Sequence, residues 1–408
     1  VGLAQLTFQI NTLSWVHSFF VSTLAYVLVG VLPRNRAPIV IFVFAFTYMS
    51  CGMIYKLYTD YGSWDMDWTT AQMICTLKVI SFSFAYSDGA RKESDFKSRY
   101  HKEHRLIKFP NPLQYYGFIY YFPTFISGPP IEIVHYLKWA DRSLFANREL
   151  PNSFFPAMSM FMKSIAILVG VAILEPRFPL EFLYENAAKM NMLTRLIYTF
   201  TAMSASRLKY IMVFKLVEAG NIAARFSYRR DKNGVVYWDG MKNISLFQVE
   251  FGESLQQSTR VWNTKVSDFL KYHVYLRLMP ADAKEAPLYV SLTTYFVSAI
   301  WHGFYPGYYY FFVVTAVADN IGRQLSKTFS PYFPQGTVLG GIYNLCGELL
   351  TKLHFAYHGI CFPTLYFTVV LEYWRVCNYI GQIITAVMAV VFLFLVPMLR
   401  PKSKKKTQ

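Results

Sequence analysis

Charge is scarce in this sequence. Only 16% of its residues are Asp, Glu, Lys or Arg, against about a quarter in an ordinary soluble domain. From Val1 to Pro33, and again from Pro287 to Ala318, there is none at all. Such windows exceed the roughly 20 apolar residues a helix needs to cross a bilayer core. A buried soluble core would instead require nearly every helix to be apolar all round. Patterned cysteine is missing too. Cys51, Cys75, Cys346, Cys361 and Cys377 are odd in number, lie mostly within apolar windows, and form no CxxC pair or zinc spacing, so they read as packing residues. No basic stretch precedes the first apolar window, so no cleavable signal peptide is expected. Internal repeats, low-complexity linkers and shifts of composition are absent, and the expectation is a single membrane domain, 1–408, ending in a basic tail, 400–408.

What is present is apolar: 54% hydrophobic and 18% aromatic residues, with a mean hydropathy of +0.25. Further apolar windows run over 38–57, 68–86, 115–131, 154–174, 196–216, 337–350, 362–371 and 379–399. Several are short or contain Gly and Pro. The fold class expected is therefore an all-α polytopic membrane protein of about ten or eleven spans, some broken or re-entrant. The net charge of +16 gathers at Arg34–Arg36, Arg91–Lys108, Arg225–Lys232 and Arg400–Lys406, and the acidic stretch Asp60–Asp67 lies one window away from each of the first two. The positive-inside rule then puts Arg34, the Arg91 segment and the tail in the cytosol. Beside apolar spans, such basic clusters fit anionic lipid headgroups or a polyphosphate such as CoA better than nucleic acid.

An ionisable side chain within a membrane span is costly and so a functional candidate. His17, His302, His354 and His358 qualify. His302 sits in the middle of the uncharged window 287–318, where a dry surrounding holds an imidazole neutral, the form a general base needs. His17 has a comparable setting, so burial alone does not choose between them. His354 and His358 stand four apart without a Glu or a third ligand, which favours packing histidines over a metal site. A second signal is the stretch from Trp262 to Arg277. Asn263, Val266, Leu270 and Val274 fall on one stripe at helical spacing. An amide on an apolar face must be hydrogen-bonded within the protein or to a ligand, although a helix N-cap would account for Asn263 equally well. Lys265, Lys271 and Arg277 bring positive charge suited to phosphates or to a solvated face.

These residues resemble the membrane-bound O-acyltransferase family. Trp262-Asn263 leading to Val274-Tyr275-Leu276-Arg277 is similar to its asparagine motif, and Ser298–Phe312 to its histidine motif, with Asn263 and His302 39 residues apart. Ser87-Asp88-Gly89, Glu93–Lys97, Phe125–Pro129, and Tyr237-Trp238-Asp239 with Asn243 and Glu250 resemble its lysophospholipid branch, most of all the broad-specificity acyltransferases of the fungal endoplasmic reticulum. The loop 137–152 is shorter than the fungal pattern. The resemblance implies a multi-pass endoplasmic reticulum protein whose helices, about 11 spans with short re-entrant or amphipathic ones, enclose a tunnel. Acyl-CoA would enter it from the cytosol and the lysophospholipid from the bilayer. His302 would take the proton of the free sn-2 hydroxyl, with Asn263 assisting. Trp262, Trp301, Tyr308, Glu250, Asn243 and Arg277 would line substrate, joined by Tyr309 and the Asp88 region. No metal or cofactor beyond the co-substrate acyl-CoA is implied. The alternatives are a family member with a sterol, diacylglycerol or protein acceptor, and a transporter; against the latter stands the lack of repeats with paired broken helices.

Overall fold

A backbone taken out of water must satisfy its hydrogen bonds within its own segment, and helices do so. The computed structural model describes residues 14–395 apart from 66, 97, 146–149, 253, 281, 282, 284 and 285. The basic tail 400–408, the start of the opening window and Lys97 lie outside the described residues. The elements that position the site are the helices α1 (Ser14–Val31), α2 (Ala37–Thr59), α3 (Trp68–Asp88), α4 (Arg99–Glu103), α5 (Ile133–Ala140), α6 (Phe154–Leu174), α7 (Met192–Ala223), α8 (Leu255–Val261), α9 (Thr264–Phe269), α10 (Leu288–His302), α11 (Pro306–Phe329) and α12 (Val338–Tyr357).

Among the described residues, three helical stretches are long and apolar enough to cross a membrane: Ser14–Val31, Ala37–Thr59 and Phe154–Lys189. A fourth is reached if Phe367–Val376 and Ile380–Phe392, bent by 85°, make one broken span. Where about eleven spans were expected, length and composition thus identify three or four. The other windows are interrupted or carry polar groups. The window 115–131 divides into Pro112–Ile119 and Phe122–Phe125, α10 has only 15 residues, and α3 buries fifteen of its 21 residues inside the protein, Lys78 among them. Only Ser164 and Val171 of α6 are buried; an apolar helix so exposed suits lipid, not water.

The main core joins α1, α2 and α3 to Pro112–Ile119 and α9, through Val21, Met49, Phe82, Phe118 and Phe269 among others. Lys78 stitches α3 to the broken window. Its Nζ donates to the carbonyls of Phe118 and Ile119 at 3.3 and 3.0 Å and to Thr124 Oγ1 at 3.1 Å, which serves carbonyls at a helix C-terminus, where the helix's own N–H donors run out. A second core around Trp374, Tyr373 and Tyr357 reaches Met203 of α7. Helix α6 packs along α7, and α10 packs on α11 across the short link Gly303–Tyr305.

Asn233-Gly234 is a strong two-residue turn signal in the sequence, and the segment forms a hairpin, β1 (Arg229–Arg230) paired antiparallel with β2 (Val236–Tyr237). Its loop is longer than the two-residue turn expected. A two-residue type I′ turn needs positive φ at both positions; here only Gly234 has it, at 85°. The Asp231 carboxylate instead accepts the N–H groups of Asn233 and Val235, both at 2.9 Å.

Candidate active site

The asparagine segment begins with an irregularity. Helix α8 ends at Val261, Trp262 is extended, and Asn263 adopts the left-handed conformation at φ 49°, ψ 58° before α9 starts. Asn is among the few residues that tolerate this region. Asn263 stands at the N-cap position of α9, yet its side chain caps nothing. The cap comes from elsewhere. Asn243, 1% exposed, accepts the Thr264 N–H on its carbonyl at 2.8 Å and the Lys265 N–H on Oδ1 at 3.0 Å, which satisfies two of the helix's orphan donors. Its Nδ2 donates to Asn263 Oδ1 at 3.1 Å. The open question about Asn263 is thereby answered: another asparagine caps the helix, and Asn263 keeps a fixed amide whose N–H2 meets no described residue.

His302 is the last residue of α10, and Gly303 follows at φ 119°. A side chain at 303 would be strained there, so the chain can leave the helix at this point only because Gly303 has none. Rings surround the imidazole: Phe312 stacks at 5.3 Å between centroids, and Phe362 and Trp301 stand edge-on at 4.9 and 4.7 Å. Trp301 is itself pinned by its indole N–H donating to the Met73 carbonyl at 3.0 Å. Neither ring nitrogen of His302 bonds a described residue.

Asn263 and His302 line one cavity of about 860 Å³, walled by α2, α3, α7 through α11 and α12. That volume lies toward the upper end for small-molecule sites. Trp262, Trp301, Tyr308 and Glu250 line it as well, as does Lys271. Asn243, Arg277, Lys265 and Tyr309 are not among its lining residues. Glu250 is held by Arg207, whose Nε and an Nη atom donate to the two carboxylate oxygens at 2.9 Å each. Arg207, also on the wall, was missed by the sequence reading; it is one of three cations, with Lys209 and Lys215, within the apolar window 196–216.

The other three histidines of the apolar windows are not among the residues that line this cavity. His17 is not on the cavity wall; its ring stacks on Trp68 at 3.8 Å, and its Nδ1 lies 2.9 Å from the Tyr48 hydroxyl. His354 and His358 meet the hydroxyls of Thr315 at 3.0 Å and Tyr310 at 2.8 Å.

Arg277 and Asp88 serve each other. The guanidinium donates to both Asp88 oxygens, at 3.0 and 2.5 Å, and lies 4.6 Å over the Phe84 ring. Asp88 is only 3% exposed. Arg91 Nη1 also lies 3.4 Å from Asp88 Oδ1, so Arg277→Ala leaves the carboxylate one distant partner and is expected to destabilise the fold by about 2 kcal/mol, below the cost of stranding a buried charge outright. The check is the midpoint of thermal unfolding in detergent; a midpoint equal to that of the parent would show the pair to be dispensable.

A family model of the membrane-bound O-acyltransferases matches residues 53–359. Lysophospholipid acyltransferase 1 of Arabidopsis thaliana is 29% identical over 415 residues, covering 99% of this chain and 88% of that protein. The lysophospholipid acyltransferases of Schizosaccharomyces pombe and Saccharomyces cerevisiae are 27% and 26% identical, over 81% and 85% of this chain and 68% and 61% of their own lengths.

Proposed function

Since the chain belongs to the membrane-bound O-acyltransferase family, an enzyme family of O-acyltransferases, we propose that it moves an acyl chain from acyl-CoA onto the free sn-2 hydroxyl of 1-acyl-lysophospholipids. The acceptor class is supported by the names of its relatives in plants, yeasts and animals. The observation that carries the chemistry is the cavity wall shared by an imidazole with no hydrogen bond to a described residue, His302, and a clamped amide, Asn263. The reading extends to an endoplasmic reticulum location, a multi-pass bundle of about eleven spans around a tunnel, and a reaction that uses no metal.

In this mechanism the neutral His302 imidazole removes the proton of the glycerol hydroxyl as its oxygen attacks the thioester carbonyl. Charge develops on the carbonyl oxygen of the tetrahedral intermediate. The Asn263 N–H2 donates to that oxyanion, and a preorganised donor costs no reorganisation when the charge appears. Collapse breaks the carbon–sulfur bond, and the protonated imidazole returns its proton to the CoA thiolate. Asn243 acts through Asn263, while Glu250 with Arg207, and Trp262, Trp301 and Tyr308, shape the substrate space.

The test offers the purified chain labelled acyl-CoA with lysolipids bearing choline, ethanolamine, serine or bare phosphate headgroups, and in parallel a sterol and a diacylglycerol. Label is expected in diacyl phospholipid. Label appearing only in sterol ester or triacylglycerol would reassign the acceptor, and release of free fatty acid alone would make the chain a thioesterase.

A further inference from the structure

The asparagine segment is not one continuous α-helix. After α9 the chain makes a π-turn, Leu270–Tyr275, and then a last α-helical turn, Leu276–Leu278. A π-turn inserts one extra residue into a helix, so what precedes it is turned by about 100° and moved by about 1.5 Å relative to an unbroken helix. The downstream side is anchored where Arg277 grips Asp88. The register of the turn therefore sets where α9, and Asn263 at its head, are aimed.

Two residues in the middle of the turn are held from outside it. His101 on α4, 8% exposed, donates its Nε2–H to the Tyr272 carbonyl at 2.8 Å. A side chain bonded into the helical ladder in this way is a recognised cause of a break in helix geometry. Tyr100, beside it, stacks flat on the Tyr272 ring, 3.6 Å between centroids and 1° between planes. The next residue, His273, faces Glu132 at the start of α5, with Nε2 3.0 Å from Oε1, and the Tyr100 hydroxyl donates to the same oxygen at 2.9 Å. Glu132 Oε2 and His273 Nδ1 are buried without a partner among the described residues, so these side chains are committed to this contact. Burial first, then the nearby Arg277, pushes the His101 imidazole down to about 4, which keeps it neutral with its one proton on Nε2. On the opposite side of the same turn, Leu270, Lys271 and Tyr275 line the cavity.

We propose that His101 and Glu132 form a wedge that locks the π-turn in register and thereby aims Asn263 into the cavity, making them positioning residues of the acyl-transfer site. The inference rests on the acyl-transfer reading. None of His101, Glu132, Tyr272 and His273 lines the cavity, so the wedge acts on the reaction only through the helix it holds.

The experiment uses the full chain purified in detergent, with folded protein counted by thermal unfolding. It measures kcat and the KM of acyl-CoA and of a lysophosphatidylcholine for His101→Ala, His101→Gln and Glu132→Ala. Because a displacement of about 1 Å in a reacting geometry is costly, kcat per folded molecule is expected to fall about tenfold or more in both alanine variants. Both KM values should stay within about threefold of the parent, the signature of a transition-state effect. Gln places an N–H where Nε2 stood and is expected to restore kcat to within about threefold. A folded His101→Ala or Glu132→Ala chain with kcat within about twofold of the parent, or a loss carried by KM alone, overturns the proposal. Should His101→Ala fail to fold, the other two variants decide: a folded His101→Gln chain that is as impaired as Glu132→Ala overturns it equally. An inactive parent chain would sink the acyl-transfer reading itself, a result distinct from any of these.

Discussion

Replacing His302 by alanine is expected to lower kcat for acyl transfer by about a thousandfold, within the range for losing a positioned general base, with little change in the KM of either substrate. The side chain stands at the end of α10 on the wall of a cavity that already exists, so its removal adds to open space at the cost of its ring contacts with Phe312, Phe362 and Trp301. The fold is expected to persist, and thermal unfolding in detergent checks that it does. None of the other three histidines of the apolar windows is placed to substitute. His17 is off the cavity wall and engaged with Tyr48 and Trp68, and the His354 and His358 rings are engaged by Thr315 and Tyr310. His17→Ala is accordingly expected to leave kcat within about threefold of the parent. Retention of more than a tenth of kcat in a folded His302→Ala chain would mean that the hydroxyl proton goes elsewhere.

The contrast among the four histidines shows where sequence reasoning runs out. Each lies in an apolar window, and the cost of an imidazole in such surroundings marks all four as candidates without ranking them. The ranking comes from hydrogen-bond partners, Tyr48 for one ring, Thr315 and Tyr310 for two others, and none described for His302; these partners are 31, 39 and 48 residues away, beyond the reach of any local pattern. The family, and with it the acyltransferase class, was legible, because the motif around Asn263 and the one around His302 each depend on residue types at short spacing. The helical class was legible too, from the uncharged windows. The number of spans was not, since a window such as 115–131 looks continuous in composition but breaks at Tyr120 and Tyr121, just ahead of Pro123. Nor was the role of Arg277. Its charge beside a candidate site suggests phosphate, whereas the fold brings Asp88, 189 residues away, to meet it.

Asn263 gives the second large effect, and the choice of substitution decides what is learned. Alanine would remove the amide but also place a residue without polar groups at φ 49°, which costs roughly 1 kcal/mol of strain, so a loss of activity would mix two causes. Asn263→Asp separates them. Aspartate tolerates the left-handed conformation and still offers Asn243 an oxygen to donate to, at the site now bridged over 3.1 Å. It carries a carboxylate charge and lacks the N–H2. If that group donates to the oxyanion, Asn263→Asp should lower kcat by about a hundredfold or more, as the loss of one such donor does elsewhere, and the new negative charge facing a developing anion adds to the loss. Asn243→Ala should fall between this and the parent. It frees the Asn263 amide to rotate and uncaps α9, at a cost in stability of about 1 kcal/mol, but leaves the donor in place. An Asn263→Asp chain that turns over at close to the parental kcat would exclude a donor role, since the donor is gone and a charge has been added, and would leave Asn263 as a structural joint between α8 and α9.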